Sequence, residues 1–559
     1  MSAAKANDRL IYMALGGAGE IGMNCYVYGY GPKGQERLIV VDLGVTFPDM
    51  DGTPGVDLIF PDITWLKQRR ALIDGIFITH AHEDHVGAVG LLWQQLGAPI
   101  YARKFTANIA RRKLQEQGQS DNIVTVVEPY PAVIDCGPFK VSYVPVSHSI
   151  PESAGLVIDS AGGRIVHTGD FKVDMTPVVG DPFNTALWEE IARPGVKALV
   201  CDSTNIFSPH AGRSEVSIGP AITELMRRSA GMMAATTFAS NVARLKTLAD
   251  AATNAGRRVC LLGRSMNRMV EAAKETGLLT EFPATITPEE AQTLPRNQVL
   301  LLVTGSQGER RAASAQLSQG SYLGLKLREG DTFLFSSRTI PGNERGVIRI
   351  MNQLSELGVD IVDDEGGKYH VSGHANRPDL ETMHQIIKPQ FLIPMHGEHR
   401  HLREHVKVAG LYGLPGIVAV NGMMIDLSGN TPSVAEYVET GRTYLDGSVQ
   451  IGAMDGVVRD RIRLALNGVA VVTLIIDEND EPLGDPWVEI SGVAETGRSD
   501  AALAEVMEAD LAQFIGRADA KTIRDDVKLE KELKNVAKRS AQGEIGKKPE
   551  VIVVISRLG

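Results

Sequence analysis

The sequence predicts a multidomain α/β protein, and three observations carry that prediction. A chain of 559 residues is too long for one hydrophobic core, so two or three domains are expected. Between residues 11 and 201, strand-like runs bounded by Gly and Pro predominate and helical patterns are few. Between 202 and 374 strand and helix patterns alternate instead, as a parallel-sheet α/β domain requires. Hydrophobic content of 43% and charged content of 22% are those of a water-soluble globular protein. No apolar run approaches the ~18 residues of a membrane span, and residues 1–9 lack the apolar core of a signal peptide. A cytoplasmic protein with no membrane partner is therefore expected. The four cysteines, Cys25, Cys136, Cys201 and Cys260, form no CxxC pair, which suits buried thiols in a reducing compartment.

The first elements are a strand over 10–15 and a second over 23–28, joined by Gly17-Ala18-Gly19-Glu20-Ile21-Gly22. That joint matches GxGxxG, the dinucleotide fingerprint, which must open a helix. Here the following residues alternate like a strand, so a glycine-rich hairpin is expected. Next, the apolar run 75–79 leads into His80-Ala81-His82-Glu83-Asp84-His85. A strand ending there throws His80 and His82 to one side, since side chains alternate, and leaves Asp84 and His85 on the turn. Imidazole and carboxylate both bind Zn²⁺ well, so the window offers two metal positions from one loop. Further ligand-type residues follow strand-like stretches: His148 after 144–146, Asp170 after 163–166 and His396 after 391–395. A single histidine in such a place is usually structural. Three such residues in a chain with HxHxDH point to metal-assisted hydrolysis, in which paired ions ~3.5–4 Å apart stabilise attacking and leaving oxygens.

In order, these motifs resemble the metallo-β-lactamase superfamily. The resemblance implies one metal held by His80, His82 and His148, a second by Asp84, His85 and His396, and Asp170 bridging them. Asp42, after the strand-like 38–41, fits the family's early Asp, which orients the site. The texture between 202 and 374 comprises strands at 232–238, 259–262, 299–304 and 332–336 with helices at 243–255, 266–276 and 345–357. Because His396 lies beyond it, this domain is inserted into the first. Asp202-Ser203-Thr204, Val371-Ser372-Gly373-His374-Ala375 and Pro394-Met395-His396-Gly397-Glu398 resemble the three β-CASP motifs of nucleic-acid enzymes. Thr237-Phe238-Ala239-Ser240-Asn241, Thr304-Gly305-Ser306-Gln307-Gly308-Glu309 and Ser337 to Glu344 are similar to the ribonuclease J family, as is Gly441 to Gly447. The implied fold is a metallo-β-lactamase αββα sandwich (1–205 and 371–440) with an inserted β-CASP α/β domain (206–370). A linker (441–465) and a small C-terminal α+β domain (466–559) follow, the latter with strands at 468–477 and 549–556 and helices at 500–514 and 521–538.

The resemblance also implies function. It predicts 5′→3′ exonuclease action on single-stranded RNA with a 5′-monophosphate, with internal cleavage as well, in mRNA decay and rRNA processing. Two Zn²⁺ per subunit are implied, with Mn²⁺ or Mg²⁺ as an activating metal, and a homodimer or homotetramer assembled through the C-terminal domain. Proton transfer falls to Asp202 and His374. The terminal phosphate falls to Ala239, Ser240, Asn241, His370, Val371, Ser372, Gly373 and His374, although by residue type Ser-Asn before a helix is simply an N-cap. His401 is either an outer support for the second metal or a surface helix histidine. Asp49, Asp51 and Asp446 are candidates for a separate cation site by the same analogy. The net charge of −11 opposes indiscriminate binding to a polyanion, unless local cations focus the field. The rival readings are a DNA-directed β-CASP nuclease, a non-catalytic RNA-binding subunit and a small-molecule hydrolase. The last leaves the inserted domain without a purpose.

Overall fold

A computed structural model of the chain describes residues 8–364 and 366–558. Contact density divides it into two units, one running through residue 46 and from 59 to 443, the other comprising 47–58 and 444 onwards.

The larger unit contains two facing sheets. The first has eight strands and includes Asp8–Gly16, Cys25–Pro32, Arg37–Val41, Ile73–Ile78 and Ile100–Ala102; the second has six, among them Phe139–Pro145, Ala154–Ser160, Gly163–His167, Ala198–Asp202 and Phe391–Met395. Alternate side chains of both enter one core, where Tyr12, Tyr28 and Phe77 meet Tyr143, Ile158 and Phe391. The outer face of the second sheet is covered by Thr185–Ala192, Arg377–Ile387 and His399–Leu411, through Trp188, Met383 and Val408. The outer face of the first carries Lys104–Glu116, which buries Phe105, Ile109 and Leu114. These layers make the expected αββα sandwich. Lys104–Glu116 is absent from the sequence reading, because six cations or amides in its run weaken the helical apolar stripe.

Strand direction places the site. Arg37–Val41 and Ile73–Ile78 are parallel neighbours, as are Gly163–His167, Ala198–Asp202 and Phe391–Met395. Phe139–Pro145 runs the same way as Gly163–His167, being antiparallel to the strand between them. Asp42, His80, His148, Asp170, Asp202 and His396 therefore emerge at the carboxyl ends of strands, where α/β sheets bind ligands.

The inserted region is a five-stranded sheet, in which Arg258–Leu262, Val299–Val303, Met233–Thr236, Thr332–Phe335 and Asp360–Val362 are neighbours in that order and all parallel. Its helices Val242–Asn254, Arg264–Glu275 and Glu344–Glu356 stand within two residues of the sequence reading at each end.

In the smaller unit, Val469–Ile476 lies between antiparallel Trp487–Ser491 and parallel Glu550–Arg557. Leu503–Ile515 and Asp526–Ile545 cover one face through Leu511, Leu529 and Leu533. The predicted helix over 521–538 is instead two helices, because the Asp525 side chain accepts from Lys528 N and starts a new one. Residues 441–465 are not a bare linker: they hold strands Arg442–Asp446 and Val449–Gly452 and most of the helix Val457–Asn467. The Asp446-Gly447 pair is a hairpin signal that the short flanking runs obscured.

Candidate metal centre

The strand before HAHEDH stops at Ile78, so His80 and His82 sit on a loop rather than on a strand end, and Asp84 and His85 lie in the helical turn Glu83–Val86. Their convergence survives the change. His82 Nδ1 lies 3.1 Å from both His80 Nε2 and His148 Nε2. Asp170 Oδ2 is 3.7 Å from His80 Nε2 and 3.8 Å from His148 Nε2. On its other side, Asp170 Oδ2 is 3.2 Å from His85 Nε2, and Asp84 Oδ2 is 3.1 Å from His396 Nε2. Two ligand clusters thus share Asp170: His80, His82 and His148 with Asp170, and Asp84, His85 and His396 with Asp170.

The nitrogens facing away from this centre are anchored, which fixes tautomer and ring orientation. His80 Nδ1 pairs with Thr79 Oγ1 at 3.0 Å, His85 Nδ1 donates to Asp42 Oδ2 at 2.7 Å, and His148 Nδ1 donates to Gly373 O at 2.6 Å. Asp42 also accepts from Thr79 N and Oγ1. Asp42 and His396 both have positive φ, 66° and 50°, sparsely populated conformations that gather at functional sites. The glycine-rich hairpin contributes backbone: Gly17 O accepts from His396 N at 2.7 Å. A Cβ on Gly17 would stand 2.2 Å from Asn24 Oδ1. No helix follows GAGEIG, and the strand Cys25–Pro32 excludes the dinucleotide reading.

The two clusters differ electrically. Burial, reinforced by neighbouring imidazoles, pulls His80 and His148 well below the usual histidine range and His82 down to about 4. Burial also opposes charge on His85 and His396, but Asp170 and Asp84 outweigh it. They hold His85 well above its usual value and His396 at about 10. Asp170 stays ionised against burial because His396 and His85 face it. Its Oδ1 accepts no hydrogen bond of good geometry, although His396 Nδ1 lies 3.0 Å away. A buried carboxylate shared by two clusters of imidazoles fits a cation. The donor set, nitrogen and oxygen with no thiolate, suits Zn²⁺ or Mn²⁺.

His374 Nδ1 donates to Asp202 Oδ2 at 2.8 Å and lies 3.9 Å from Asp170 Oδ2. Burial works against its charge, and Asp202 overcomes it to raise the imidazole's pKa. Asp202 is held in turn by Thr204 N and Oγ1. Beside this pair is a recess of about 10 Å³ whose lining includes Lys172, Asn241, Val371, Ser372 and Gly373. A Cβ on Gly373 would lie 2.6 Å from Ser149 Oγ, so the close approach requires glycine. Of the other expected phosphate residues, Asn241 caps Val242–Asn254 by accepting from Arg244 N, while Ala239, Ser240 and His370 stand outside the lining. His370 faces Asp364 at 3.7 Å. His401 is not a surface helix histidine: it is buried on His399–Leu411 against Phe207. Asp446 is paired to Arg461, and no ligand cluster among the described residues includes Asp49, Asp51 or Asp446.

Several residues at the site carry no signal strong enough to be found by sequence. Asn24 Nδ2 bonds Asp84 O and lies 3.0 Å from His85 Nε2; Thr79 joins Asp42 to His80. Lys172 is the exception. A cation two positions past Asp170, buried and ion-paired to Asp174 at 2.9 Å, was legible in principle.

The chain is similar over nearly its whole length to known proteins. It is 39% identical over 557 residues to ribonuclease J of Sinorhizobium meliloti, covering 99% of this chain and 98% of that one. The chain belongs to the ribonuclease J family. Ribonuclease J of Mycobacterium tuberculosis is 33% identical over 521 residues (92% of this chain, 91% of that one), and ribonuclease J 1 of Streptococcus pyogenes 35% over 474 residues (84% and 83%). Family models agree segment by segment: the metallo-beta-lactamase superfamily over residues 18–201, the ribonuclease J beta-CASP domain over 230–354 and the ribonuclease J C-terminal domain over 456–558. Residues 367–414 match a Zn-dependent metallo-hydrolase RNA specificity domain. A solved Enterococcus faecalis protein of unknown function shares the fold, with a TM-score of 0.51 at 17% identity, covering 75% of this chain and all of that one. Membership of the family makes the protein a metal-dependent hydrolase acting on RNA, and the residues just described are its divalent-metal candidates.

Proposed function

We propose that the protein is a 5′→3′ exoribonuclease on single-stranded RNA with a 5′-monophosphate, with internal cleavage as a second activity, serving RNA maturation and decay in the cytoplasm. The observation that carries this reading is the position of the His374–Asp202 pair, 2.8 Å apart, between the shared Asp170 and the Ser372-Gly373 recess. When bound, two divalent ions, Zn²⁺ in the first instance and Mn²⁺ or Mg²⁺ as activators, would polarise the phosphodiester and activate water. The protein's own groups divide the remaining tasks. Asp202 accepts from His374 Nδ1 and favours the imidazolium, whose Nε2–H can give its proton to the departing 3′ oxygen and leave the neutral Nδ1–H tautomer. Ser372 hydroxyl, Gly373 N–H and the Lys172 ammonium offer donors to a terminal phosphate, with Asn241 beside them. A recess of about 10 Å³ holds roughly one water, so a terminal phosphate requires its lining to open. A triphosphate is disfavoured by size and charge.

Self-association through the C-terminal unit, as a homodimer or homotetramer, is supported by its uncovered sheet face. Trp487, Thr473 and Val554 are cross-strand partners there, and Trp487 is 58% exposed. Trp487→Glu is expected to lower the sedimentation mass; an unchanged mass contradicts this interface.

The decisive test is cleavage of one single-stranded RNA bearing either a 5′-monophosphate or a 5′-triphosphate, by wild type, His80→Ala and His374→Ala. Mononucleotide release from the monophosphate form is expected, abolished in His80→Ala and slowed ~10²–10⁴-fold in His374→Ala. Internal cleavage indifferent to the end group refutes the phosphate recess. Cleavage of DNA alone favours the DNA-directed reading, and no metal-dependent cleavage favours the silent RNA-binding subunit.

A further inference from the structure

We propose that Cys201, His384 and His405 form a separate Zn²⁺ site, buried behind Asp202 and joining the sheet to the two helices that cover it. Each residue comes from a different element: Cys201 from Ala198–Asp202, His384 from Arg377–Ile387 and His405 from His399–Leu411. One ligand atom from each lies within 4.8 Å of the others. Cys201 and His405 are fully buried and His384 is 5% exposed.

The approach of the two imidazoles is the informative detail. His384 Nε2 lies 3.0 Å from His405 Nε2, the spacing that relates His82 to His80 and His148 at the candidate metal centre, 3.1 Å. Burial keeps both rings neutral, His384 down to about 4 and His405 well below its usual value, while burial and the neighbouring Asp202 hold the Cys201 thiol well above its usual value, so a cation must displace that proton. His405 Nδ1 is already paired with Ser203 Oγ at 2.9 Å, the anchoring that metal-binding histidines receive on the far nitrogen. A simple imidazole–imidazole hydrogen bond is the competing account. It does not explain the conjunction of a Cys and two His at one buried point. The other cysteines, Cys25, Cys136 and Cys260, belong to no such cluster among the described residues.

A thiolate with two imidazoles is a zinc donor set. On binding, the Cys201 sulfur forms the metal bond and its proton passes to solvent, the two histidines contributing neutral nitrogens; three protein donors leave one position for water. The metal would hold Cys201 from behind, and with it the next residue in the strand, Asp202.

The candidate catalytic centre contains no sulfur, so the sites can be told apart spectroscopically. The full-length protein loaded with Co²⁺ is expected to show a near-ultraviolet thiolate-to-cobalt charge-transfer band. The band should disappear in Cys201→Ser and persist in His82→Ala. Zinc content after Zn²⁺ loading should fall by one equivalent per chain in Cys201→Ser and in His384→Gln. Absence of the band in the fully loaded wild type overturns the proposal, as does unchanged zinc content in a folded Cys201→Ser protein. The wild-type spectrum decides the matter even where a variant fails to fold.

Discussion

The two ligand clusters on either side of Asp170 are built from similar residues and behave oppositely. His80, His82 and His148 crowd one another out of water, and each imidazole makes protonation of the next harder, so the group is neutral with lone pairs exposed. His85 and His396 are buried equally well, but Asp84, Asp170 and Asp42 surround them and keep them protonated. Without metal, one half is a neutral ligand set, and the other is internally neutralised by protons that a cation must displace. Neighbouring charge, not burial or residue type, makes the difference.

The largest test removes what the halves share. Asp170→Asn is expected to deprive both clusters of a carboxylate and lower metal content at each, with RNA cleavage lost beyond the ~10–100-fold typical of an outer residue. Metal analysis beside activity distinguishes this from misfolding. If only one equivalent is lost, Asp170 serves one cluster and the symmetry is broken. His82→Ala and His396→Ala should each lose one equivalent and keep the other; loss of both from either shows that the clusters load together.

Proton displacement gives the next effect, and its sign differs between halves. His396 is held at about 10, so between pH 6 and 8 it carries a proton that metal must expel. Affinity at that half should rise about tenfold per pH unit for each proton released. His82, lowered to about 4, is already neutral at pH 6, so affinity at its half should stay flat. Competition with a chelator at pH 6, 7 and 8, using His82→Ala and His396→Ala to isolate each half, measures both slopes. Equal slopes contradict the electrostatic contrast.

The contrast also marks what sequence can and cannot convey. The candidate metal ligands were visible because strand-ending runs precede chemically specific residues in a fixed order, and the inserted sheet because strand and helix periods alternate cleanly. The loop that carries His80 and His82 was not visible, since the apolar run gives no sign of ending two residues early. Nor was the network of Asn24, Thr79 and Thr204, whose residue types are common and whose partners lie up to 192 positions away. His401 had too little local signal: its burial depends on Phe207, far away in the chain. The protonation difference is wholly tertiary, because the acids that cause it come from separate strand ends.

Asp42 offers the smallest and most selective perturbation. It is fully buried, and burial raises its pKa against the favourable effect of His85 and Thr79. As a carboxylate it can only accept, so His85 must carry its hydrogen on Nδ1 and present the Nε2 lone pair to the centre. Asp42→Asn keeps the shape but can turn an amide N–H toward Nδ1, which moves the hydrogen to Nε2 and closes that ligand. Metal affinity should fall by about 10–100-fold at the acid-rich half, while the triple-histidine half, reached only through Thr79, should change far less. The melting temperature of the metal-free protein should fall, because the buried His85 charge loses one of its carboxylate partners. Metal titration of Asp42→Asn in the His82→Ala and His396→Ala backgrounds separates the two halves. An equal loss at both would mean that Asp42 supports the whole centre through Thr79 rather than His85 alone.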